Sequence, residues 1–317
     1  MRLVSLVPVG TKIDFMRFRK IAGVLSLVFV VASAGLFFVK GLNFGIDFRG
    51  GILMEIRAPQ AADMAKLRTT LTGLKLGEVQ LQEFGQPTDV LIRIERQPGG
   101  EKGQQIAVER AKAALGDEVS YRRTEFVGPK VGGELIEAGI TAVLLALAAM
   151  LVYIWFRFEW QFGVGAVAAL LHDVVLTIGI FSLLGLEFNL STVAAILTIA
   201  GYSINDTVVV YDRVRENLRK FKQMSIYDLL NLSINGTLSR TLLTSVTTLI
   251  ALGALYFFGG EVIKGFSFAM IWGVVVGTYS SIFIAVPLLV YMKLRRSGLI
   301  VGDDTESSPT GNPADQG

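Results

Sequence analysis

Few ionisable residues interrupt the long apolar stretches of this sequence, and those few are where chemistry could be done. Asp206 follows Asn205 inside a run from Phe188 to Val210 that carries no other charge, and Tyr202 lies four residues earlier on the same helical face. A carboxylate at bilayer depth is costly unless it is paired, neutralised or hydrated. Such a group can take up and release a proton as its surroundings change, so Asp206 is a candidate proton carrier, the other reading being a structural hydrogen bond. His172 and Asp173 interrupt the run from Trp160 to Leu186, and His172 is the only histidine. Twelve residues from Trp160, the pair stands near the middle of a spanning helix. It reads either as a polar contact that locks helices together or as a titrating step in a proton path.

Arg240 alone reads as an ordinary positive charge flanking the next apolar run. Thr241, Thr244, Ser245, Thr247 and Thr248 follow it, small hydroxyls that pack closely and hydrogen-bond to neighbouring helices, so a wet interior face is expected there. Gly273 and Gly277 have the GxxxG spacing of close helix packing. The chain has no cysteine, no G-x-x-x-x-G-K-[ST] phosphate loop, no H-E-x-x-H and no G-x-S-x-G. Catalytic residues, metal ligands and cofactors are therefore not expected.

The elements that position these residues follow from hydropathy. The chain is 52% hydrophobic with 18% charged residues, and its mean hydropathy is +0.54, far from a water-soluble composition. Uncharged or nearly uncharged runs at 21–39, 138–156, 160–186, 188–210, 241–260 and 265–292 are each long enough to span a bilayer. Ala32-Ser33-Ala34 offers a small-residue cleavage pattern, but apolar character continues through Val39, which favours a retained helix. Lys and Arg gather in 1–20, in the basic loop 211–240 and at Lys293, Arg295 and Arg296. Six spans bring all three to one side, and the positive-inside rule makes that side, with both termini, cytoplasmic. The tail 293–317 is polar and reads as disordered.

Residues 40–133 then form a domain outside the cytoplasm. Ile52, Met54 and Ile56 alternate as in a strand, and Met64, Leu67, Leu71 and Leu74 recur at helical spacing. Val79 and Leu81, a turn at Gly85-Gln86-Pro87, then Val90, Ile92 and Ile94 predict a hairpin. A second helix around Ala107, Ala111, Ala114 and Leu115 and a strand over Val119 to Phe126 complete β-α-β-β-α-β. That order predicts a ferredoxin-like α+β domain whose helices cover one sheet face and leave the other for a partner.

The stretch Gly201 to Asn217, GYSINDTVVVYDRVREN, with Asp212, Arg213, Arg215, Glu216 and Asn217 at its end, closely resembles the SecF family of bacterial protein export. Gly45-Ile46-Asp47-Phe48-Arg49-Gly50-Gly51, His172-Asp173 and Ser239-Arg240-Thr241 fit the same family, and the match spans 20–295. Alone, Asp47 and Arg49 read as part of a glycine-rich turn into the first strand. The resemblance implies an RND-type half of six helices that pairs with a SecD-like subunit as a heterodimer. It implies use of the proton-motive force to promote preprotein movement through the Sec channel in a bacterial inner membrane, with accessory proteins of the YajC and YidC type. By position, Asp206 and Arg240 match the family's proton relay. The competing expectation is a half-size exporter of small molecules or lipids, and no nucleic-acid partner is expected.

Overall fold

The computed structural model describes residues 11–116, 118–127 and 129–292. The expectations for Arg2 and for the tail from Lys293 lie outside them. After a 3-10 turn at Phe15–Phe18 come α1 (Arg19–Lys40), β1 (Asn43–Phe44), α2 (Ile46–Arg49), β2 (Gly51–Arg57), α3 (Met64–Gly73), β3 (Val79–Phe84) and β4 (Gln86–Ile94). Then follow α4 (Gly100–Leu115), β5 (Ser120–Val127), α5 (Pro129–Arg157), α6 (Trp160–Leu184), β6 (Glu187–Phe188), α7 (Leu190–Lys220), α8 (Ile226–Phe258), α9 (Glu261–Ser280), a π turn at Ser281–Ala285 and α10 (Val286–Tyr291). Among the described residues six helical segments are long and apolar enough to cross a membrane, the last running from Ile263 to Tyr291 through the π turn.

The helices outlast their apolar runs. The segment 211–240, expected as a loop, is helical except at 221–225, because α7 continues to Lys220 and α8 starts at Ile226. Arg, Lys and Glu are good helix formers, and Val214, Leu229, Leu230, Ile234 and Leu238 keep one face of these extensions buried in the same core as Phe158 and Phe162. Asn189 caps α7, its Oδ1 accepting from the Thr192 amide at 3.0 Å while the Asn189 amide donates back to Thr192 Oγ1.

Between α1 and α5, four antiparallel strands lie in the order β3-β4-β2-β5. Ile52, Met54, Ile56, Val90, Ile92 and Ile94 point to one face and pack with Leu71, Ala107 and Ala111 of α3 and α4, as the period-two alternation requires. The opposite face is not free along its length, as the sequence had suggested. Leu53 and Leu91 pack with Ile46 of α2, and this face borders a cleft shared with the ends of the spanning helices at Glu187, Asn189 and Phe268. The free-face reading followed from the β-α-β-β-α-β order, which places both long helices on one face but does not say what covers the other.

Candidate functional site

α6, α7 and α9 meet around Asp173, which has no exposed surface. Its Oδ2 accepts from Ser203 Oγ at 2.6 Å and from Ser280 Oγ at 2.8 Å. Oδ1 lies 2.9 Å from Nδ1 of His172, whose Nε2 is buried without a partner among the described residues. Small residues let the three helices approach this closely. A Cβ at Gly273 would overlap Ile199, and one at Gly277 would lie 3.2 Å from Ser203 Cβ. The GxxxG spacing is therefore packing at the α7–α9 contact.

One turn beyond Ser203, Asp206 is buried where α7 faces α8. Thr241 Oγ1 donates to its Oδ1 at 2.7 Å, whereas Oδ2 is buried with no partner among the described residues. Thr241 comes directly after Arg240, whose exposed guanidinium is near enough to act on the carboxylate through its charge. Tyr202 does not join Asp206. Its hydroxyl donates to Ser245 Oγ at 3.4 Å, and Asn205 is exposed. Asn205, Thr198 and Gly201 on α7 and Arg240, Thr244 and Thr247 on α8 form a polar, small-residue surface that is exposed among the described residues.

The other motif residues fall into two separate places. Arg157 Nη2 donates to both carboxylate oxygens of Asp212 at 2.8 and 3.1 Å, and Arg215 donates to the Arg157 carbonyl. Arg213 pairs with Glu216, and Asn217 Nδ2 donates to buried Ser233 Oγ at 2.8 Å. These bonds join the ends of α5, α7 and α8, away from Asp206. At the opposite end of α7, Asp47 Oδ2 accepts from the Leu190 amide at 2.9 Å. A carboxylate there satisfies an otherwise unbonded helix-end amide and complements the helix dipole. Gly50 and Gly51 then turn the chain into β2 with φ of 72° and 117°, and a Cβ at Gly51 would lie 2.7 Å from the Ile94 carbonyl oxygen. Arg93 of β4 pairs with Glu187 of β6, and β1 pairs in parallel with β6, so three ties fasten the sheet domain to the start of the helix that carries Asp206.

Sequence reasoning missed Ser203, Ser280 and Glu187. Serines in spanning helices were a usable signal for the first two, but their convergence on Asp173 joins positions 107 residues apart. Among the described residues no group of three or more His, Cys, Asp or Glu side chains could hold a metal.

Fold and site define a polytopic membrane protein with one sheet domain after its first span and carboxylates buried between its helices. The family model "Protein export membrane protein SecD/SecF, C-terminal" matches residues 107–295, and the "SecD/SecF GG Motif" model matches residues 35–62. The protein translocase subunit SecF of Rickettsia rickettsii is 48% identical over 297 residues, covering 92% of this chain and 96% of that protein. SecF of Cereibacter sphaeroides is 47% identical over 304 residues, covering 93% and 94%. The crystal structure of SecDF, a translocon-associated membrane protein from Thermus thermophilus, superposes with a TM-score of 0.83 at 38% identity over 92% of this chain. The chain spans about two fifths of that longer protein, 40% of its length. A second SecDF structure, in a super-membrane-facing form, gives a TM-score of 0.68. This chain belongs to the SecD/SecF family of protein export membrane proteins. It is a multi-pass transport component and not an enzyme, and its relatives do not favour the small-molecule exporter.

Proposed function

We propose that this chain is one six-helix half of a machine that uses the proton-motive force to promote preprotein translocation, with Asp206 as proton carrier and Arg240 as the cation that tunes it. The observation that carries this is the Asp206 carboxylate, buried with one oxygen on Thr241 and the other without a partner among the described residues. An unsatisfied carboxylate oxygen in a lipid-embedded bundle is costly, and protonation or a moved arginine relieves it. His172 and Asp173 fit the locking reading better than the relay reading, because Asp173 already accepts from Ser203 and Ser280 on two other helices.

The other half is a SecD-like subunit, the smaller-residue polar surface of α7 and α8 being its contact. A polar side chain such as that of Asn205 facing lipid would be left without a partner, which favours a protein neighbour. The distribution of Lys and Arg supports cytoplasmic termini and a cytoplasmic turn at 221–225. The sheet domain, read as ferredoxin-like from its strand order and β-α-β-β-α-β connectivity, then lies on the periplasmic side, where preprotein emerges from the Sec channel. The ties through Asp47, Arg93 and β1 offer a route from a proton-dependent shift of α7 to that domain. One charge crossing the membrane gains about 2.3 kcal/mol per 100 mV, and moving a two-state protein from 1:99 to 99:1 takes about 5.5 kcal/mol. Each stroke therefore needs more than one charge or a pH gradient as well.

The test is preprotein export into inner-membrane vesicles with and without an imposed proton gradient. Asp206→Asn and Arg240→Met should assemble with the partner yet lose the gradient-dependent stimulation, while Arg240→Lys keeps part of it because a charge survives without the planar fork. An Asp206→Asn protein that responds fully to the gradient removes Asp206 from the mechanism. For orientation, single cysteines at Gln86 and Lys222 should label from opposite sides of the membrane, and labelling from one side defeats the arrangement.

A further inference from the structure

Between the domain-side ends of three spanning helices lies a cavity of about 470 Å³ with a wall that is almost wholly hydrocarbon, including Ile140 of α5, Ile178 of α6 and Val193 and Ile196 of α7. Phe44, Phe48 and Arg49, from the segment that leads into β2, also line it. Arg49 also lines a second cleft, of about 420 Å³, together with Arg93 and Arg96. This cleft is polar, with Glu78 and Glu95 as well as the arginines along it. Arg49 and Arg96 are exposed, and Arg93, paired with Glu187 through Nη2, keeps a buried Nε with no partner among the described residues.

We propose that the two cavities together form a phospholipid site, with an acyl chain between α5, α6 and α7 and the phosphate on Arg49, its headgroup directed towards Arg93 and Arg96. Depth supports this assignment. Ile178 is six and Val174 ten residues from the end of α6, and Val193 is three from the start of α7, so at ~1.5 Å per residue the pocket runs from near the helix ends to about 15 Å along them. That is about half of a hydrocarbon core roughly 30 Å thick, the depth of one leaflet's acyl chains. The span of α5 has none of its apolar window buried within the chain, so the wall it forms borders the bilayer. Hydrocarbon below and the exposed guanidinium of Arg49, which lines both cavities, match an amphiphile with an anionic phosphate.

Other occupants fit less well. A polar solute finds no hydrogen-bond partner among Ile140, Ile178 and Ile196, and the 470 Å³ available is less than two turns of a helix about 10 Å across would fill. The uncovered polar stripe of α7, through Thr198 and Asn205, lies on another side of that helix from Val193 and Ile196, so a partner subunit bound there leaves the cavity open to lipid. Arg49 shares a single helical turn with Asp47, the residue that caps α7. A headgroup held by Arg49 therefore steadies the joint between the sheet domain and the helix bearing Asp206. It also gives Arg49 a role that neither the proton site nor the turn geometry supplies.

The full chain with its partner subunit is placed in nanodiscs of phosphatidylcholine containing a minor fraction of spin-labelled phosphatidylglycerol, and the immobilised lipid signal is measured. The expected result is an immobilised phosphatidylglycerol population displaced by unlabelled phosphatidylglycerol but not by inorganic phosphate. Arg49→Gln should weaken phosphatidylglycerol binding roughly tenfold, the scale of one lost charge-assisted hydrogen bond. Ile178→Trp, which fills the cavity, should abolish the immobilised signal for both lipids. Thermal unfolding shows whether the tryptophan variant still folds, and exposed Arg49 provides the test that does not depend on it. Unchanged phosphatidylglycerol binding in Arg49→Gln overturns the proposal, as does displacement of the labelled lipid by inorganic phosphate alone.

Discussion

In the sheet domain the side chains with no exposed surface are, Gln104 apart, apolar, among them Ile52, Met54, Ile56, Leu71, Val90 and Ile92, whereas between α6, α7 and α9 the least exposed include Asp173, Ser203, Thr207, Ser280 and Ser281. The outward surfaces are reversed in the same way. Trp155, Phe156, Ile250 and Phe258 are largely exposed on the spanning helices, while the domain exposes charged residues such as Glu101, Lys102, Glu109 and Arg110. Water makes hydrocarbon burial the driving force for the domain. Lipid tails are as apolar as leucine, so the bundle associates through close packing at small residues and through hydrogen bonds such as Thr207–Ser281 at 2.8 Å. One chain thus holds two cores built on different terms, and the ties at Asp47 and Arg93 join them.

That contrast predicts where substitutions hurt most. Ile92→Ala leaves a cavity under a fully buried strand residue and should cost the domain about 2–5 kcal/mol. Amide hydrogen exchange should accelerate throughout β2–β5 while the amides of α6 and α7 keep their protection. Loss of protection in both regions together would mean that the two cores are one cooperative unit. Gly273→Leu forces a side chain into Ile199 and should cost the bundle about 1–3 kcal/mol. Thermal unfolding in detergent should show it, with exchange in the sheet unchanged.

Ser280→Ala removes one of the bonds to Asp173, and interhelical hydrogen bonds of this kind average about 0.6 kcal/mol. Detergent unfolding of this variant should therefore differ little from that of the parent. A loss as large as that of Ile92→Ala would break the comparison, because polar links would then be the strong elements. The smallest effect is pH-dependent. The Arg57 guanidinium, bonded to Asp89 through Nη2 at 2.6 Å, holds that carboxyl below its ordinary range. A lowered folded value adds stability that is present above the unfolded value of about 3.9 and is lost as pH falls below it through the folded one. Exchange at β2 and β4 amides, corrected for intrinsic rates, should show a modest loss of protection over that acid range, and Asp89→Asn should abolish the pH dependence.

Hydropathy and period were enough to read the six spans, the alternating strands and the helical stripe of Met64, Leu67 and Leu71, because each depends on residues within one element. The same locality explains why Asp206 stood out as a candidate, a charge inside an apolar run contrasting with its own neighbours, whereas Arg240 alone read as an ordinary flanking charge. What the sequence could not assign was company. Tyr202 shares a helical face with Asp206 by spacing, yet its hydroxyl goes to Ser245 on α8, since the rotation of α7 against α8 decides which neighbour is in reach. The continuation of α7 and α8 through 211–240 was hidden because charged residues end a hydrophobic run without ending a helix. Asp47 read as part of a turn, and only the fold brings it to the Leu190 amide, 143 positions away. Ser203 and Ser280 converge on Asp173 for the same reason: hydrogen bonds between helices are fixed by how helices pack, and packing joins residues whose separation along the chain carries no periodic signal.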